Sequence, residues 1–322
     1  MNKRNPQAAG GTSRYGALSA LAAITGLLLL VSLAPPLLAA GPGQRQFLAP
    51  GDAVAALVAA VRAGSRSDLI AIFGPQSGPL VNSGDSVADR NGRERFVASY
   101  DQEHALVMQA GGKVVLVLGK DRWPFPIPLV RTGRFWRFDT AAGIEEIIDR
   151  RIGRNELNAI QVCRAYVDAQ REYASRTRSA GGSREYAQHF MSRPNRHDGL
   201  YWPAKAGEEP SPMGTLIALA RDEGYGAARS GTKREPYHGY YYRILKQQGA
   251  DAPGGAHDYM VGGRMIGGFA LVAFPARYGV SGVMTFIVNQ DGVVYQKNLG
   301  PDTERIARQM REYDPGAGWK PD

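Results

Sequence analysis

The feature that most constrains the fold is an uninterrupted amphipathic segment from Arg154 to Arg176. Neither Gly nor Pro breaks it, and its apolar residues recur at steps of three and four, which predicts one long α-helix with a wide hydrophobic face. The face consists of two neighbouring stripes: Ala159, Val162, Tyr166, Ala169 and Tyr173, and Ile160, Cys163, Val167 and Ala174. Asn155 or Asn158 can cap its start. A helix with so broad an apolar face must pack on another element.

The segments after this helix are of β type and supply that element. Residues 240–245 and 265–274 predict two strands, and residues 284–288 and 293–297 predict a hairpin. The sequence Asn289-Gln290-Asp291-Gly292 between the last two is typical of a tight turn. Residues 301–313 predict a terminal amphipathic helix. We therefore expect residues 154–322 to form a C-terminal α+β domain, a long helix packed on an antiparallel sheet.

The segments before the helix predict a second unit, residues 47–140. Helices are expected at 50–62, 67–73 and within 87–108, followed by strands at 113–119, 125–131 and 134–139. Thr132-Gly133 joins the last two strands as a hairpin. This order predicts an N-terminal α+β domain with helices on a curved antiparallel sheet, and it resembles the cone-shaped nuclear-transport-factor-2-like folds. Residues 141–153 are expected to be a helical connector, so the fold class is α+β with two domains.

Residues 1–40 predict a secretory signal peptide rather than folded structure. An apolar stretch at residues 17–33 follows a basic start that contains Lys3, Arg4 and Arg14. We expect cleavage near Ala39 or Ala40, which leaves residues 41–46 as a mature tail. Leu38 is a poor residue three positions before the cut, so an uncleaved N-terminal anchor is the alternative and the only expected membrane contact. In both cases the protein is exported to the periplasm or cell envelope.

The net charge indicates which kinds of partner the exported protein could bind. Removing residues 1–40 takes away three basic residues and no acid, so the net charge falls from +9 to 39 − 3 − 30 = +6. A basic exported protein favours anionic envelope surfaces, but the arginines are scattered among acids with no run of five, and we expect no nucleic-acid partner.

Cys163 is the only cysteine and lies on the apolar helix face, which indicates a small buried hydrophobe rather than a reactive thiol.

Patterns typical of catalysis or cofactor binding are missing from the sequence. The five histidines form no metal-ligand pair, and we find no nucleophile elbow and no P-loop. Glu145 and Glu146 are adjacent on a helix, so they point apart and cannot flank one bond. We therefore predict no catalytic residue, no metal site and no cofactor.

One aromatic segment, residues 237–243, is the candidate ligand-binding strand. Strand alternation puts Tyr240 and Tyr242 on one face and Tyr241 with Arg243 on the other. Aromatic faces with polar tips suit a sugar ring or a partner surface, and packing of this strand in the sheet is the alternative. The candidate site residues are Trp202, His238, Tyr240, Tyr242 and Arg243. A second aromatic segment, residues 123–126, is interpreted as an interdomain wedge rather than as a binding motif.

Two resemblances complete the sequence analysis. The helix with Ala169–Ala174, the turn at Tyr186-Ala187 and the strands of residues 285–295 resemble the globular head of type IV pilins and pseudopilins, which implies a helix packed on an antiparallel sheet. Roughly residues 46–319 are similar to an exported bacterial family known as a domain of unknown function (number twenty-nine-fifty). The segments that carry this likeness are residues 123–130, 138–143, 154–174, 198–203, 237–245 and 267–300. That family brings no reaction, cofactor or catalytic residue.

Three hypotheses about function remain open. The first is a non-catalytic exported envelope protein that binds an envelope component, which would be a glycan, an anionic lipid or a protein. The second is a periplasmic enzyme or glycan-binding protein that uses the Tyr237–Arg243 strand, with His238 as acid or base. The third is capture of a small molecule in the N-terminal domain, which requires an open apolar pocket between the helices of residues 50–73 and the strands of residues 113–139.

Overall fold

A computed structural model of the chain describes residues 43–177, 182–205, 207–226 and 235–322. The predicted signal peptide, residues 1–40, lies outside the described residues. The helices are α1 (Pro50–Ala63), α2 (Arg66–Phe73), α3 (Gly78–Val81), α4 (Ser86–Gln102), α5 (Thr140–Arg176), α6 (Gly214–Asp222) and α7 (Thr303–Gln309). None of the helices in these ranges is long and apolar enough to cross a lipid bilayer.

The strands form two larger antiparallel sheets and two small ones. In the first half of the chain they are β1 (His104–Met108), β2 (Val114–Leu118), β3 (Trp123–Pro124), β4 (Leu129–Thr132) and β5 (Phe135–Phe138). In the second half they are β6 (Tyr240–Leu245), β7 (Gln247–Gln248), β8 (His257–Asp258), β9 (Met260–Val261), β10 (Arg264–Met265), β11 (Ala270–Pro275), β12 (Met284–Asn289), β13 (Tyr295–Asn298), β14 (Glu312–Tyr313) and β15 (Lys320–Pro321). The strand content and order confirm the predicted α+β class.

The first sheet has the order β1-β2-β4-β5, with β3 also paired to β2. Helices α1 and α2 pack on it and close a core whose members at 1% exposure or less include Leu57, Ile72, Leu116 and Phe138. The predicted hairpin is present, with Thr132 opposite Phe135. The helix predicted within residues 87–108 is present as α4, but its end was not predicted, because residues 104–108 form β1 and pair antiparallel with β2.

Helix α5 is longer than predicted, because the expected connector and the central helix are one continuous helix of 37 residues. Gly153 does not interrupt it, since one glycine inside a helix costs only about 1 kcal/mol relative to alanine. The first half of α5 is anchored by Arg151, which donates to the carbonyls of Pro79 (2.8 Å) and Leu80 (2.9 Å). The predicted capping role of Asn155 is therefore wrong, and its amide lies mid-helix.

The second sheet has the order β15-β13-β12-β11-β6, and the second half of α5 packs on it through β11 and β12. The buried residues of α5 include both predicted stripes, so the predicted contact between helix and sheet is confirmed. Helix α7 also contacts β11. The predicted terminal helix of residues 301–313 is too long, because Glu312–Tyr313 leave it and pair in parallel with β7.

Residues Ala40–Asp322 form one compact unit that contains two main hydrophobic cores. One core lies around α1, α2 and the first sheet, and the other lies between α5 and the second sheet. A third, small cluster of Val87, Ala220 and Tyr225 brings α4 and α6 together. The division into two domains and the boundaries given above stay a prediction.

Candidate functional site

A cavity of about 810 Å³ opens between α4 and α5. Its floor is apolar and comes from α1, α2, α3, α5, β2 and the segment around β3. The floor and walls include the side chains of Leu57, Val61, Leu69, Phe73, Leu80, Val81, Phe96, Leu118, Trp123, Phe125 and Ile147. A volume of this size is within the usual range of roughly 300 to 1,000 Å³ for small-molecule sites. This cavity is not the pocket that the third hypothesis requires, because the space between the helices of residues 50–73 and the strands of residues 113–139 is filled by core side chains.

The cavity stays open because α4 is too polar to fill it. Val87 is the one residue of this 17-residue helix that is buried. Phe96 is half-buried and meets Phe125 edge-on, with 5.7 Å between ring centroids. Trp123 packs on the other side of Phe125, at 6.3 Å. These three rings form one wall, while the polar face of α4 leaves a gap towards α5.

Five arginines line the cavity above this apolar floor: Arg93, Arg95, Arg150, Arg151 and Arg154. The first two belong to α4 and the other three to α5. Positions 150 and 154 are four residues apart and share one face of α5, and Arg151 also lines the cavity while donating to carbonyls of α3. Two carboxylates, those of Asp89 and Glu223, line the same cavity. The polar part of the cavity therefore carries an excess of positive charge.

Four of the five guanidinium groups form no ion pair with a carboxylate in the described part of the chain. Arg150 pairs with Glu146 at 2.6 Å, and Arg151 is held by backbone carbonyls. In the described part of the chain, neither Arg95 nor Arg154 forms an ion pair. Partial burial, and then the charges of Arg95 and Arg150, lower the pKa of Arg154. Neighbouring positive charges without counter-charges favour the binding of an anion.

Asp89 holds the start of α4 in place beside the arginines that line the cavity. Its carboxylate accepts the backbone N–H of Ser83 at 3.0 Å, which fixes the start of α4 against the segment after α3. Burial raises the pKa of Asp89, whereas the hydrogen bonds from Ser83 and the charge of Arg151 act in the opposite direction. Asp89 therefore partly compensates Arg151 and leaves Arg95 and Arg154 uncompensated.

Among the five predicted site residues, His238 is the one that lines this cavity. Its Nε2 lies 3.1 Å from Oε2 of Glu223, which also lines the cavity. The ring packs on Tyr237 with 4.2 Å between centroids, and the backbone N–H donates to the hydroxyl of Tyr225 at 3.3 Å. His238 has a φ of +49°, a left-handed conformation that is uncommon for a residue with a Cβ.

Tyr240 and Tyr242 point into the protein rather than into the cavity. Tyr240 is fully buried, and its hydroxyl donates to the carbonyl of Met284 at 2.9 Å. The hydroxyl of Tyr242 is also buried, and it has no hydrogen-bond partner among the described residues. Burial raises the pKa of both phenols well above the ordinary value of 10.0. Packing within the sheet, which was the alternative to ligand binding, therefore accounts for the contacts of Tyr240 and Tyr242.

Arg243 and Trp202 also lie outside the cavity. Arg243 donates to the carbonyl of Ala307 at 2.7 Å and to that of Met310, so it satisfies the C-terminal end of α7. Trp202 is buried, stacks on His197 at 4.2 Å and donates from its indole nitrogen to a backbone carbonyl. The structure therefore does not bring the five predicted residues together around one concavity, and ligand binding by them stays a prediction.

The sequence analysis missed the arginines of the cavity. Arg150 and Arg154 stand four positions apart on one helix face, which was the available signal, but their neighbours across the cavity belong to a different helix. Trp123 and Phe125, in the segment interpreted as an interdomain wedge, also line the cavity, and the wedge stays a prediction. Within the described ranges, no three His, Cys, Asp or Glu side chains are grouped so that they could hold a metal ion.

Comparison with known proteins places the chain in a family without describing a reaction. A family model with the description "Protein of unknown function (DUF2950)" matches residues 44–321. No curated protein and no solved structure matches the chain. The resemblance of the C-terminal part to a pilin head is not confirmed.

Proposed function

The chain belongs to the DUF2950 family of proteins of unknown function, and we propose that it binds an anionic amphiphile between α4 and α5. The observation that carries the proposal is the combination of an apolar cavity of about 810 Å³ with arginines that lack carboxylate partners. An amphiphile with one apolar chain and one negative head matches both parts at once. A purely apolar ligand would leave the arginines unused, and a purely polar one would leave the floor without contacts.

The apolar chain of the ligand would lie on the floor formed by the aliphatic and aromatic side chains named above. Each methylene group that leaves water contributes about 0.8 kcal/mol. Leu69 and Phe73 are already buried in the unliganded protein, so the floor is largely preformed. A preformed floor lowers the ordering cost of binding.

The negative head would lie between Arg95 on α4 and Arg154 on α5. A guanidinium group donates two parallel hydrogen bonds to a carboxylate or a phosphate, and such bonds are roughly twice as strong as neutral ones. Two such groups without counter-charges favour a phosphate, which offers more acceptor oxygens than a carboxylate. The proposed ligand class is therefore a lipid or fatty-chain compound with a phosphate head.

The place of action that we propose is the bacterial envelope or periplasm. The support comes from the sequence, in which a basic start and an apolar stretch precede the family domain. Anionic lipids are abundant in that compartment, so an exported binding protein with a net positive charge would encounter them. The protein partner and the glycan that the sequence also allowed remain alternatives.

The second hypothesis, which uses the Tyr237–Arg243 strand, has weaker support. Its tyrosines at positions 240 and 242 are occupied by packing, and Arg243 is occupied by the end of α7. His238 is the member of that strand segment that reaches the cavity. We therefore retain it as part of the proposed site.

Isothermal titration calorimetry of the mature protein with dodecyl phosphate tests whether the site binds a negatively charged head group. We expect dodecyl phosphate to bind and dodecyltrimethylammonium not to bind. Arg154→Gln removes one charged hydrogen-bonding partner, which is worth roughly 1.5 to 3 kcal/mol, so it should weaken binding about tenfold or more. Arg311→Gln removes the same charge from an exposed residue beyond α7 and should leave binding unchanged. Equal affinity in all variants, or no binding of dodecyl phosphate, would contradict the proposal.

A pair of glycine substitutions tests the cavity itself. Gly92 lines the cavity on α4, and a Cβ there would meet no atom within 4 Å. Gly92→Leu should therefore fold normally and obstruct the chain-binding space, and the affinity for dodecyl phosphate should fall. Gly153→Leu is the matched control, because Gly153 is also helical with open space at its Cβ but lies outside the cavity lining. Full affinity in Gly92→Leu would place the binding site elsewhere.

A further inference from the structure

The turn before β6 holds an imidazole at the cavity in a strained backbone conformation. His238 and Gly239 both have positive φ, at +49° and +77°. Non-glycine residues with positive φ occur within the described ranges at Arg122, Asn195 and His238, and His238 is the one that lines the cavity. Such strain persists only where the surroundings impose it, and it is concentrated at functional sites.

Two hydrogen bonds impose this conformation. The backbone N–H of His238 donates to the hydroxyl of Tyr225 at 3.3 Å, and that of Gly239 donates to Oδ2 of Asp85 at 2.9 Å. Asp85 and Tyr225 are both buried, so the turn is attached to the protein interior. The position of the imidazole is therefore determined by the fold and not by the loop alone.

Glu223 determines which nitrogen of the imidazole carries the proton. Its Oε2 lies 3.1 Å from Nε2 of His238, and a carboxylate accepts, so Nε2 of the neutral ring donates. Nδ1 is then the basic nitrogen, and no described residue hydrogen-bonds to it. Glu223 itself is held at the end of α6, where its backbone N–H donates to the carbonyl of Leu219 at 3.0 Å.

Aromatic rings pack beside the imidazole of this pair, while the side chain of Glu223 is exposed. Tyr237 lies 4.2 Å from the imidazole and 4.9 Å from the ring of Tyr225. Burial, and then the charge of Glu223, raise the pKa of Tyr237 to about 12, so this phenol stays neutral beside the imidazole. A histidine whose tautomer is set by a carboxylate, placed beside an arginine-lined cavity, is the arrangement that general-base hydrolysis needs.

From this arrangement we propose that the protein is an esterase, in which His238 and Glu223 hydrolyse the acyl ester of a phosphorylated amphiphile. Nδ1 of His238 takes a proton from water while the water oxygen forms a bond with the ester carbonyl carbon, and the carbonyl π electrons move to its oxygen. The tetrahedral intermediate then collapses, the bond between carbon and the alcohol oxygen breaks, and the imidazolium returns its proton to that oxygen. The products are a carboxylic acid and a phosphorylated alcohol, and no redox partner is required.

Other groups of the cavity would assist this step. Glu223 stabilises the imidazolium that forms, and the guanidinium groups of the same cavity stabilise the negative charge that develops on the carbonyl oxygen. This inference rests on the proposed function, because the amphiphile must first occupy the cavity. Ester hydrolysis adds a chemical step to binding, and the two can be measured separately.

The test uses lauroyl lysophosphatidylglycerol as probe and follows the release of lauric acid by mass spectrometry. We expect release by the mature wild-type protein. His238→Gly removes the base and should lower the rate about 100-fold or more, and glycine suits the positive φ, so the fold is kept. Added imidazole should restore part of the rate, which a merely structural role would not allow. Glu223→Gln should lower kcat by about tenfold with little change in KM.

The matched control is Asn195→Gly, which relieves the same kind of backbone strain outside the cavity and should leave the release of lauric acid unchanged. Titration with the probe separates the two proposals. Binding without release by the wild type overturns the esterase and leaves the binding function. Absence of both binding and release overturns both proposals. Undiminished release by His238→Gly overturns the assignment of the base.

Discussion

The hydroxyl of Tyr225 donates a hydrogen bond of 2.9 Å to Oδ2 of Asp85, although 140 residues separate them in the chain. The same carboxylate accepts the N–H groups of Val87 (3.1 Å) and Ala88 (2.9 Å) as the N-cap of α4. It also accepts the N–H group of Gly239. One buried carboxylate therefore joins the start of α4, the residues after α6 and the turn that carries His238.

Replacement of Asp85 should be unusually costly. Asp85→Ala removes a helix cap, worth about 1 kcal/mol, and leaves buried donors unsatisfied at roughly 1 to 3 kcal/mol, so we expect a loss of about 3 kcal/mol in the free energy of unfolding. Urea denaturation measures this. The control is Ser65→Ala, which removes the N-cap of α2, whose hydroxyl accepts the N–H of Asp68 and contacts the hydroxyl of Ser67, both at 3.3 Å, and should cost about 1 kcal/mol. Equal losses of stability in the two variants would show that the hydrogen bonds from Tyr225 and Gly239 to Asp85 add nothing beyond helix capping.

Asp89 should make the protein less stable as the pH rises. Burial raises the pKa of its carboxyl above the ordinary value of 3.8. The folded state therefore favours the protonated form more than the unfolded state does, and this contribution is complete below 3.8 and is lost as the pH rises through the raised pKa. Asp89→Asn lacks this titration. The stability of the wild type relative to Asp89→Asn should thus fall as the pH rises above 3.8, and a constant or rising difference in urea denaturation would refute the assignment.

Two glycines of α5 should respond oppositely to the same substitution. A Cβ on Gly143 would lie 2.2 Å from the carbonyl oxygen of Pro126, so Gly143→Ala must displace backbone and should cost roughly 3 kcal/mol of stability. A Cβ on Gly153 meets nothing within 4 Å, so Gly153→Ala should gain about 0.5 to 1 kcal/mol from helix propensity. Thermal unfolding of both variants measures the difference. Similar melting temperatures would contradict the close approach of α5 to the segment before β4.

Cys163 should be inert in the folded protein. It is fully buried, as the sequence predicted, and burial raises the pKa of its thiol from 9.0 to about 12. We expect no reaction with an aromatic disulfide reagent near neutral pH until urea unfolds the chain. Ser67→Cys, which adds an exposed thiol on α2, should react at once in the folded state. Comparable rates for both thiols would show that the helix opens readily.

The sequence predicted most of the secondary structure, and its errors share a cause. The apolar stripes of α5 and the strand of residues 240–245 were predicted correctly, because periodicity records which side of an element is buried. The start of α5 was wrong, and the end of α4 was not predicted. Helix ends depend on partners distant in the chain, such as the carbonyls that hold Arg151 and the pairing of β1 with β2.

The candidate site was harder to predict than the fold. Tyr240 and Tyr242 were predicted as site residues because aromatic clusters are visible in a sequence, yet Tyr240 is buried and Tyr242 is half-buried with its hydroxyl inside the protein. The spacing of Arg150 and Arg154 on one helix face was a weak signal, and nothing in the sequence placed Arg95 opposite them. His238 was found for its chemistry, but neither its left-handed backbone nor its contact with Glu223 can be read from a motif.

The sequence by itself determined that this chain forms a long amphipathic helix on an antiparallel sheet, because hydrophobic burial depends on periodicity within a few turns or strands. Only the tertiary structure decided that α4 and the first half of α5 face each other across an open space. That outcome depends on how closely two distant helices approach, and the polar surface of α4, which buries Val87 alone, does not close the gap. The arginines of the two helices lie close together because the helices themselves approach each other, and no short sequence pattern predicts that approach.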